Sequence, residues 1–155
     1  LISAVPALAA LPGAGTALRM DPGMKQFTTR VRARYCETDA AGVVYYGSFM
    51  HYFEVGKMEM YRELGLPYRY DIPILETYCR YPAPTFFDDL LEIRTAFDDI
   101  RPKGFKIRSE VYRVEEGENL VMVGEGYTTH IYIDDDRKPA PLPAYYLEAF
   151  EKIRD

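Results

Sequence analysis

The sequence predicts an α+β sandwich, in which one long helix lies against one curled, largely antiparallel sheet of five strands. Three observations carry the prediction. Helical periodicity is sustained over residues 48–64, where apolar side chains recur at spacings of three and four. Four strand-like runs follow, at 73–81, 90–99, 105–114 and 120–133. The last two are joined by residues 115–119, which contain Gly117 as a hairpin requires, and no second long helix separates the runs to serve as a parallel crossover.

Each element has its own signal. Residues 26–35 interleave Phe27, Val31, Ala33 and Tyr35 with polar side chains, the alternation of a half-buried strand. The helix carries Phe49, Tyr52, Phe53, Met60 and Leu64 on one stripe, with Ser48 placed to cap its start and Gly65 followed by Pro67 to end it. Gly56 lies on the same stripe. A glycine inside a helix costs about 1 kcal/mol relative to alanine, so this one predicts close packing, with a sheet lying across the helix. Residues 143–153 form a short terminal helix with Tyr146, Leu147 and Phe150 on its apolar side.

The first 19 residues are dominated by Ala, Leu, Gly and Pro, with Arg19 their only charge and with Pro6 and Pro12 interrupting any helix. They lack the basic opening and unbroken apolar stretch of a signal peptide. The expectation is a leader over 1–23, disordered or a product of start-site choice, followed by one domain over 24–155.

Composition narrows the function. A chain of 155 residues suits one domain, and 48% hydrophobic with 28% charged residues supports both a core and a solvated surface. Lys and Arg number 19 against 24 Asp and Glu, a net charge of -5 that has the wrong sign for a nucleic-acid partner. No apolar run reaches the roughly 20 residues of a membrane span. Cys36 and Cys79 are too few for a disulfide framework and suit a reducing, cytoplasmic setting. With His51 and His130 they match no zinc spacing, and Gly124-Glu125-Gly126 lacks the third glycine of a dinucleotide fingerprint. Neither a metal nor a cofactor is expected.

The most informative stretch is residues 35–54, YCETDAAGVVYYGSFMHYFE, which joins the first strand to the helix. A helix start presents unpaired N–H groups and partial positive charge, so a thioester or ester carbonyl placed there is stabilised as it becomes an oxyanion. Asp39, just upstream, suits an acyl-transfer nucleophile or an activator of water. The same residues also read as a plain turn, because Asp and Gly are turn formers.

This stretch closely resembles the signature of the 4-hydroxybenzoyl-CoA thioesterase family of hotdog-fold proteins, particularly its Tol-Pal-associated acyl-CoA thioesterase branch. A second block, YPAPTFFDDLLEI at residues 81–93, resembles the family's next motif in the right order. The resemblance implies a hotdog fold and hydrolysis of acyl-CoA, aliphatic or aryl, with Asp39 as catalytic carboxylate and the Tyr46 N–H polarising the thioester carbonyl. It further implies that Gly42 and Val43 line the approach, since glycine lets substrate come close to the backbone. That branch often carries His at the position of Tyr46, which leaves the backbone role intact. Hotdog sheets pair edge to edge with active sites between subunits, so a homodimer or homotetramer is implied.

Other residues enter as candidates. Glu54, at the end of the signature, either assists catalysis or is an ordinary helix carboxylate. Arg101, Lys103, Lys106 and Arg108 cluster near a strand turn, suited to coenzyme A phosphates or to a solvated hairpin. Tyr45, Tyr52, Phe53 and Tyr61 line an acyl tunnel or belong to the core. His51 and His130 match no catalytic position of the family, and Ser48 lacks a serine-hydrolase elbow. Two alternatives stand beside hydrolysis: a hotdog hydratase or dehydratase, disfavoured because no His lies within the Asp39 motif, and a non-catalytic module binding acyl thioesters or acyl carrier protein.

Overall fold

A computed structural model of the chain describes residues 20–69 and 71–154. In chain order the elements are β1 (Phe27–Arg32), α1 (Phe49–Leu64), β2 (Ile74–Arg80), β3 (Leu90–Arg101), β4 (Gly104–Val114), β5 (Leu120–Ile131) and α2 (Ala144–Ile153). The strands form one sheet in the order β1-β3-β4-β5-β2, with every neighbouring pair antiparallel. α1 carries the chain from β1 at one end of the sheet to β2 at the other, which is the predicted α+β arrangement.

Alternation on β3 explains why α1 lies where it does. Leu91, Ile93, Thr95 and Phe97 are buried, whereas the Arg94 guanidinium pairs with the Glu92 carboxylate and lies over the Tyr112 ring on the other face. Gly56 sits where helix and sheet meet. A Cβ there would lie 2.2 Å from Thr95 Oγ1 and 2.9 Å from Ile93 Cγ2, which is the close packing that a mid-helix glycine predicts. Two apolar clusters result: Phe49, Tyr52 and Phe53 pack with Leu91, Ile93, Val111 and Val123 beneath the helix start. Met60 and Tyr61 pack with Phe97, Phe105 and the α2 residues Tyr146, Phe150 and Ile153 beneath its end.

Three local expectations change. The first strand ends at Arg32 rather than at residue 35, because the Arg34 N–H bonds the Glu37 carboxylate and turns the chain into a 3-10 turn, Tyr35–Glu37. Ser48 does not cap α1. Its backbone is already helical within a 3-10 turn, Tyr46–Ser48, and its hydroxyl donates instead to the Glu37 carbonyl at 3.0 Å. Leu147 is 50% exposed, since the buried face of α2 is Tyr146, Ala149, Phe150 and Ile153, and residue 147 lies about 100° round the helix from 146.

Gly65 ends α1 in the left-handed conformation at φ 67°, as its position predicts. Of the leader expected over 1–23, residues 1–19 lie outside the described residues; Met20 is buried, and Met24 pairs with Arg154 just after α2. Among the described residues, no helix is long and apolar enough to cross a membrane.

Candidate active site

The loop between β1 and α1 is organised by a buried acid. Glu37 is 5% exposed, and its carboxylate accepts from the Arg34 N–H at 2.7 Å, the Arg34 Nε at 2.9 Å and the Tyr52 hydroxyl at 2.8 Å. Burial alone raises its pKa, but these hydrogen bonds outweigh burial and hold it below the usual carboxylate value. The Glu37 carbonyl accepts from the Tyr45 N–H and the Ser48 hydroxyl, so the same residue fixes the start of α1.

Thr38 and Val44 pair across a small loop whose tip is Asp39 to Val43. The Asp39 N–H bonds the Val43 carbonyl at 2.9 Å, the Gly42 N–H bonds the Asp39 carbonyl at 3.0 Å, and Asp39 Oδ1 accepts from the Ala41 N–H at 2.8 Å. Gly42 stands at φ 79°, a conformation that glycine adopts without strain. The stretch therefore forms the turn that its Asp and Gly predict. The turn also leaves the Asp39 side chain exposed at the rim of a cleft.

That cleft, about 330 Å³, joins the two sequence blocks. Asp39, Val43, Tyr46 and Phe49 come from the first, and Tyr81, Ala83, Pro84 and Thr85 from the second. The blocks are bonded directly: the Val44 N–H donates to the Thr85 carbonyl at 2.8 Å, and the Tyr81 hydroxyl donates to the Tyr46 carbonyl at 3.1 Å. Asp89 steadies the second block by accepting from the Thr85 hydroxyl at 2.9 Å and the Phe86 N–H at 2.8 Å. At the helix start the Ser48 N–H is used by the Tyr45 carbonyl, whereas the N–H groups of Tyr46 and Gly47 have no acceptor among the described residues.

The other sequence candidates lie elsewhere. Gly42 shapes the turn without lining the cleft, and Tyr45 packs its ring on that of Tyr46 at 4.4 Å. A hydrogen bond with the Tyr46 phenol raises the Tyr45 pKa. Glu54 borders depressions along α1 with His51. Arg101 and Lys103 line a larger cavity of about 640 Å³ at the β3–β4 turn, with Leu75 and Glu76 of β2. There Arg101 is held by both oxygens of Asp99, Arg108 pairs with Asp98, and Lys106 lies 4.5 Å from the centre of the Tyr127 ring. Tyr52, Phe53 and Tyr61 are buried core residues. His130 is buried beside Phe105, and burial pushes its pKa down to about 4, so it is neutral near pH 7.

Sequence reading missed Glu37, Tyr81 and Thr85 as organisers of the cleft. The three-residue spacing of Arg34 and Glu37 is a local capping signal, but nothing in the chain pattern announces that Tyr81 reaches Tyr46.

Residues 33–150 match the family profile of the Thioesterase-like superfamily. The chain belongs to this superfamily. The matched stretch contains both sequence blocks and the whole helix between them. Curated relatives include the acyl-CoA thioester hydrolase YbgC of Escherichia coli, 26% identical over 133 residues that cover 81% of this chain and 96% of the relative. The 4-hydroxybenzoyl-CoA thioesterase of Pseudomonas sp. strain CBS-3 is 22% identical over 136 residues, covering 80% of this chain and 96% of that one. Among solved structures, a protein of Thermus thermophilus superposes with TM-score 0.74 at 27% identity, covering 84% of this chain and 99% of that one. The Pseudomonas enzyme's structure superposes with TM-score 0.72 at 23% identity over 80% and 98% of the two chains. The sheet around α1 is thus the hotdog fold implied by the motif resemblance.

Proposed function

We propose that the protein hydrolyses acyl-CoA thioesters to free acid and coenzyme A. The observation that carries this reading is that the Asp39 carboxylate and the unpaired Tyr46 N–H border one cleft. A thioester carbonyl oxygen at the helix start accepts from the Tyr46 N–H as negative charge develops on it. Asp39 either attacks the carbonyl carbon or draws a proton from the water that does. If Asp39 attacks, the C–S bond breaks to leave an acyl–aspartyl anhydride that water then hydrolyses, restoring the carboxylate. If it acts as a base, water adds directly and the C–S bond then breaks. In both routes a proton from that water ends on the departing thiolate as the coenzyme A thiol. Val43 and Phe49 give the cleft an apolar wall against the acyl group. This chemistry acts on the cytoplasmic acyl-CoA pool.

The cavity at the β3–β4 turn receives the coenzyme A phosphates. Lys103 has no ion pair there among the described residues and supplies an uncommitted positive charge. The cavity is bordered by Leu75 and Glu76 of β2, an edge strand that also exposes Ile74 and Tyr78. An open edge with apolar side chains calls for a partner strand, so two copies pair through β2 and the cavity lies at the interface.

The test is thiol release from a panel of short, long and aromatic acyl-CoA substrates by wild type and Asp39→Asn. Turnover by wild type that collapses in the variant is expected. No turnover on any member of the panel argues for a binding module instead, and undiminished turnover in the variant removes Asp39 from the centre of the reaction. Sedimentation equilibrium of the wild-type chain checks the pairing, since a monomer at micromolar concentration contradicts it.

A further inference from the structure

Tyr81 lies in the second sequence block, and neither the motif reading nor the proposed hydrolysis gives its side chain a role. Its ring lines the cleft and stands edge-on to Phe49, with centroids 4.9 Å apart. Its hydroxyl donates to the Tyr46 carbonyl at 3.1 Å. That carbonyl belongs to the peptide whose nitrogen is Gly47, and in a trans peptide the N–H points opposite to the C=O. The Tyr46 oxygen also accepts from the Phe49 N–H within the helix start, so Tyr81 adds a second hold, from outside the helix, on the direction of the Gly47 N–H, the second unpaired donor there. A hydrogen bond to a peptide oxygen also polarises the group and strengthens its N–H as a donor.

Two further observations make this contact specific. Burial, and then the neighbouring Cys79 thiol, push the Tyr81 pKa up, so the phenol keeps its proton and remains a donor at neutral pH. Gly47 packs closely against the Tyr45 ring, since a Cβ there would stand 2.7 Å from its Cε1. The peptide thus has both the Tyr45 ring and the Tyr81 phenol as neighbours.

We propose that Tyr81 is a positioning residue for the oxyanion contact, fixing the Tyr46–Gly47 peptide so that the Gly47 N–H stands beside the Tyr46 N–H as a second donor. This rests on the thioesterase reading for its catalytic consequence, and on geometry alone for its structural one. Tyr81 acts through the peptide, and the N–H groups are what meet the substrate.

The experiment pairs kinetics with a direct view of the peptide. Tyr81→Phe keeps the ring, and hence the cleft wall and the Phe49 contact, and removes only the hydroxyl. The expected loss in kcat is roughly tenfold, below the ~10²-fold or more that follows removal of a direct oxyanion donor. KM and Tm are expected to stay near the wild-type values, because ground-state binding does not use the hydroxyl. In the same variant the Gly47 amide nitrogen resonance is expected to move, as that of a peptide whose carbonyl has lost one of its two partners. A kcat within about twofold of wild type, or a loss confined to KM, overturns the catalytic consequence. An unmoved Gly47 resonance overturns the positioning itself. If wild type releases no thiol from any acyl-CoA, the thioesterase reading fails and takes the catalytic consequence with it, while the Gly47 resonance still decides whether Tyr81 holds the peptide.

Discussion

The two concavities differ in what holds them. The Asp39 cleft, about 330 Å³, is built by backbone: the turn at Asp39 to Val43, the free N–H groups at the start of α1, and the Val44–Thr85 and Tyr81–Tyr46 bonds between the blocks. The cavity at the β3–β4 turn, about 640 Å³, is dressed by long charged side chains that largely satisfy one another, Arg101 with Asp99 and nearby Arg108 with Asp98. The smaller one therefore has fixed donors beside an exposed carboxylate, the requirement for chemistry. The larger one has adaptable charge, the requirement for binding a flexible anion. Size alone would have chosen the larger one.

The sharpest way to break that contrast is Asp39→Asn. If the cleft is where chemistry occurs, kcat falls by about 10²–10⁴-fold, the range for a group that moves the proton. Stability stays near wild type because the side chain is exposed. Steady-state kinetics with a urea melt of the same preparation separates the two outcomes, and a parallel loss of both moves Asp39 from chemistry to loop structure.

Glu37→Gln tests whether the cleft depends on its buried clamp. Charge-assisted hydrogen bonds from Arg34 and Tyr52 weaken, at a cost of about 1.5–3 kcal/mol in urea unfolding. The pH signature has a definite sign. The folded protein holds the Glu37 pKa below its ordinary value of 4.5, so the charged form is favoured in the folded state. Its contribution is complete above pH 4.5 and is lost as pH falls through the lower folded value. Wild-type stability measured on descending below pH 4.5 should therefore fall more steeply than that of Glu37→Gln. Parallel curves would mean that the clamp does not depend on charge.

The same contrast explains what was legible in the sequence. Asp39, Gly42 and Tyr46 lie in one contiguous stretch, so turn chemistry and a helix start place them together without knowledge of the rest of the chain. Gly56 was readable as well, since an interior glycine in an amphipathic helix has a cost that only close packing offsets. Tyr81 was not readable, because its bond to Tyr46 spans two elements and depends on β2 lying at the far end of the sheet. Ser48 misled for a related reason: its hydroxyl meets a carbonyl eleven residues back, and that long-range contact displaces the local cap. The basic cluster read as phosphate contacts or a solvated hairpin, without its internal partners: Asp98 and Asp99 lie on the same hairpin and take up Arg108 and Arg101.

At the other concavity the effects are smaller and graded. Lys103→Ala is expected to raise KM for an acyl-CoA by about three- to tenfold with kcat unchanged, the size of one exposed charge contact of ~1 kcal/mol. A thioester of pantetheine, which lacks the nucleotide phosphates, should show no such change. Raised salt should shrink the difference between the variant and wild type, because exposed contacts are screened within about 10 Å at 0.1 M.

Arg101→Ala is the weakest and most discriminating case. Its guanidinium already faces both Asp99 oxygens, at 3.0 and 2.9 Å, so removing it also frees a carboxylate in the cavity. If Arg101 contacts phosphate only as half of that pair, its loss changes KM by less than about threefold, as expected when one member of an exposed pair is removed. The double variant Arg101→Ala with Asp99→Asn should then bind acyl-CoA as tightly as Asp99→Asn alone. An Arg101→Ala effect as large as that of Lys103→Ala, persisting in the Asp99→Asn background, would mean that the guanidinium leaves Asp99 for the phosphate when substrate binds, and that the cavity is remade by its ligand rather than poised for it.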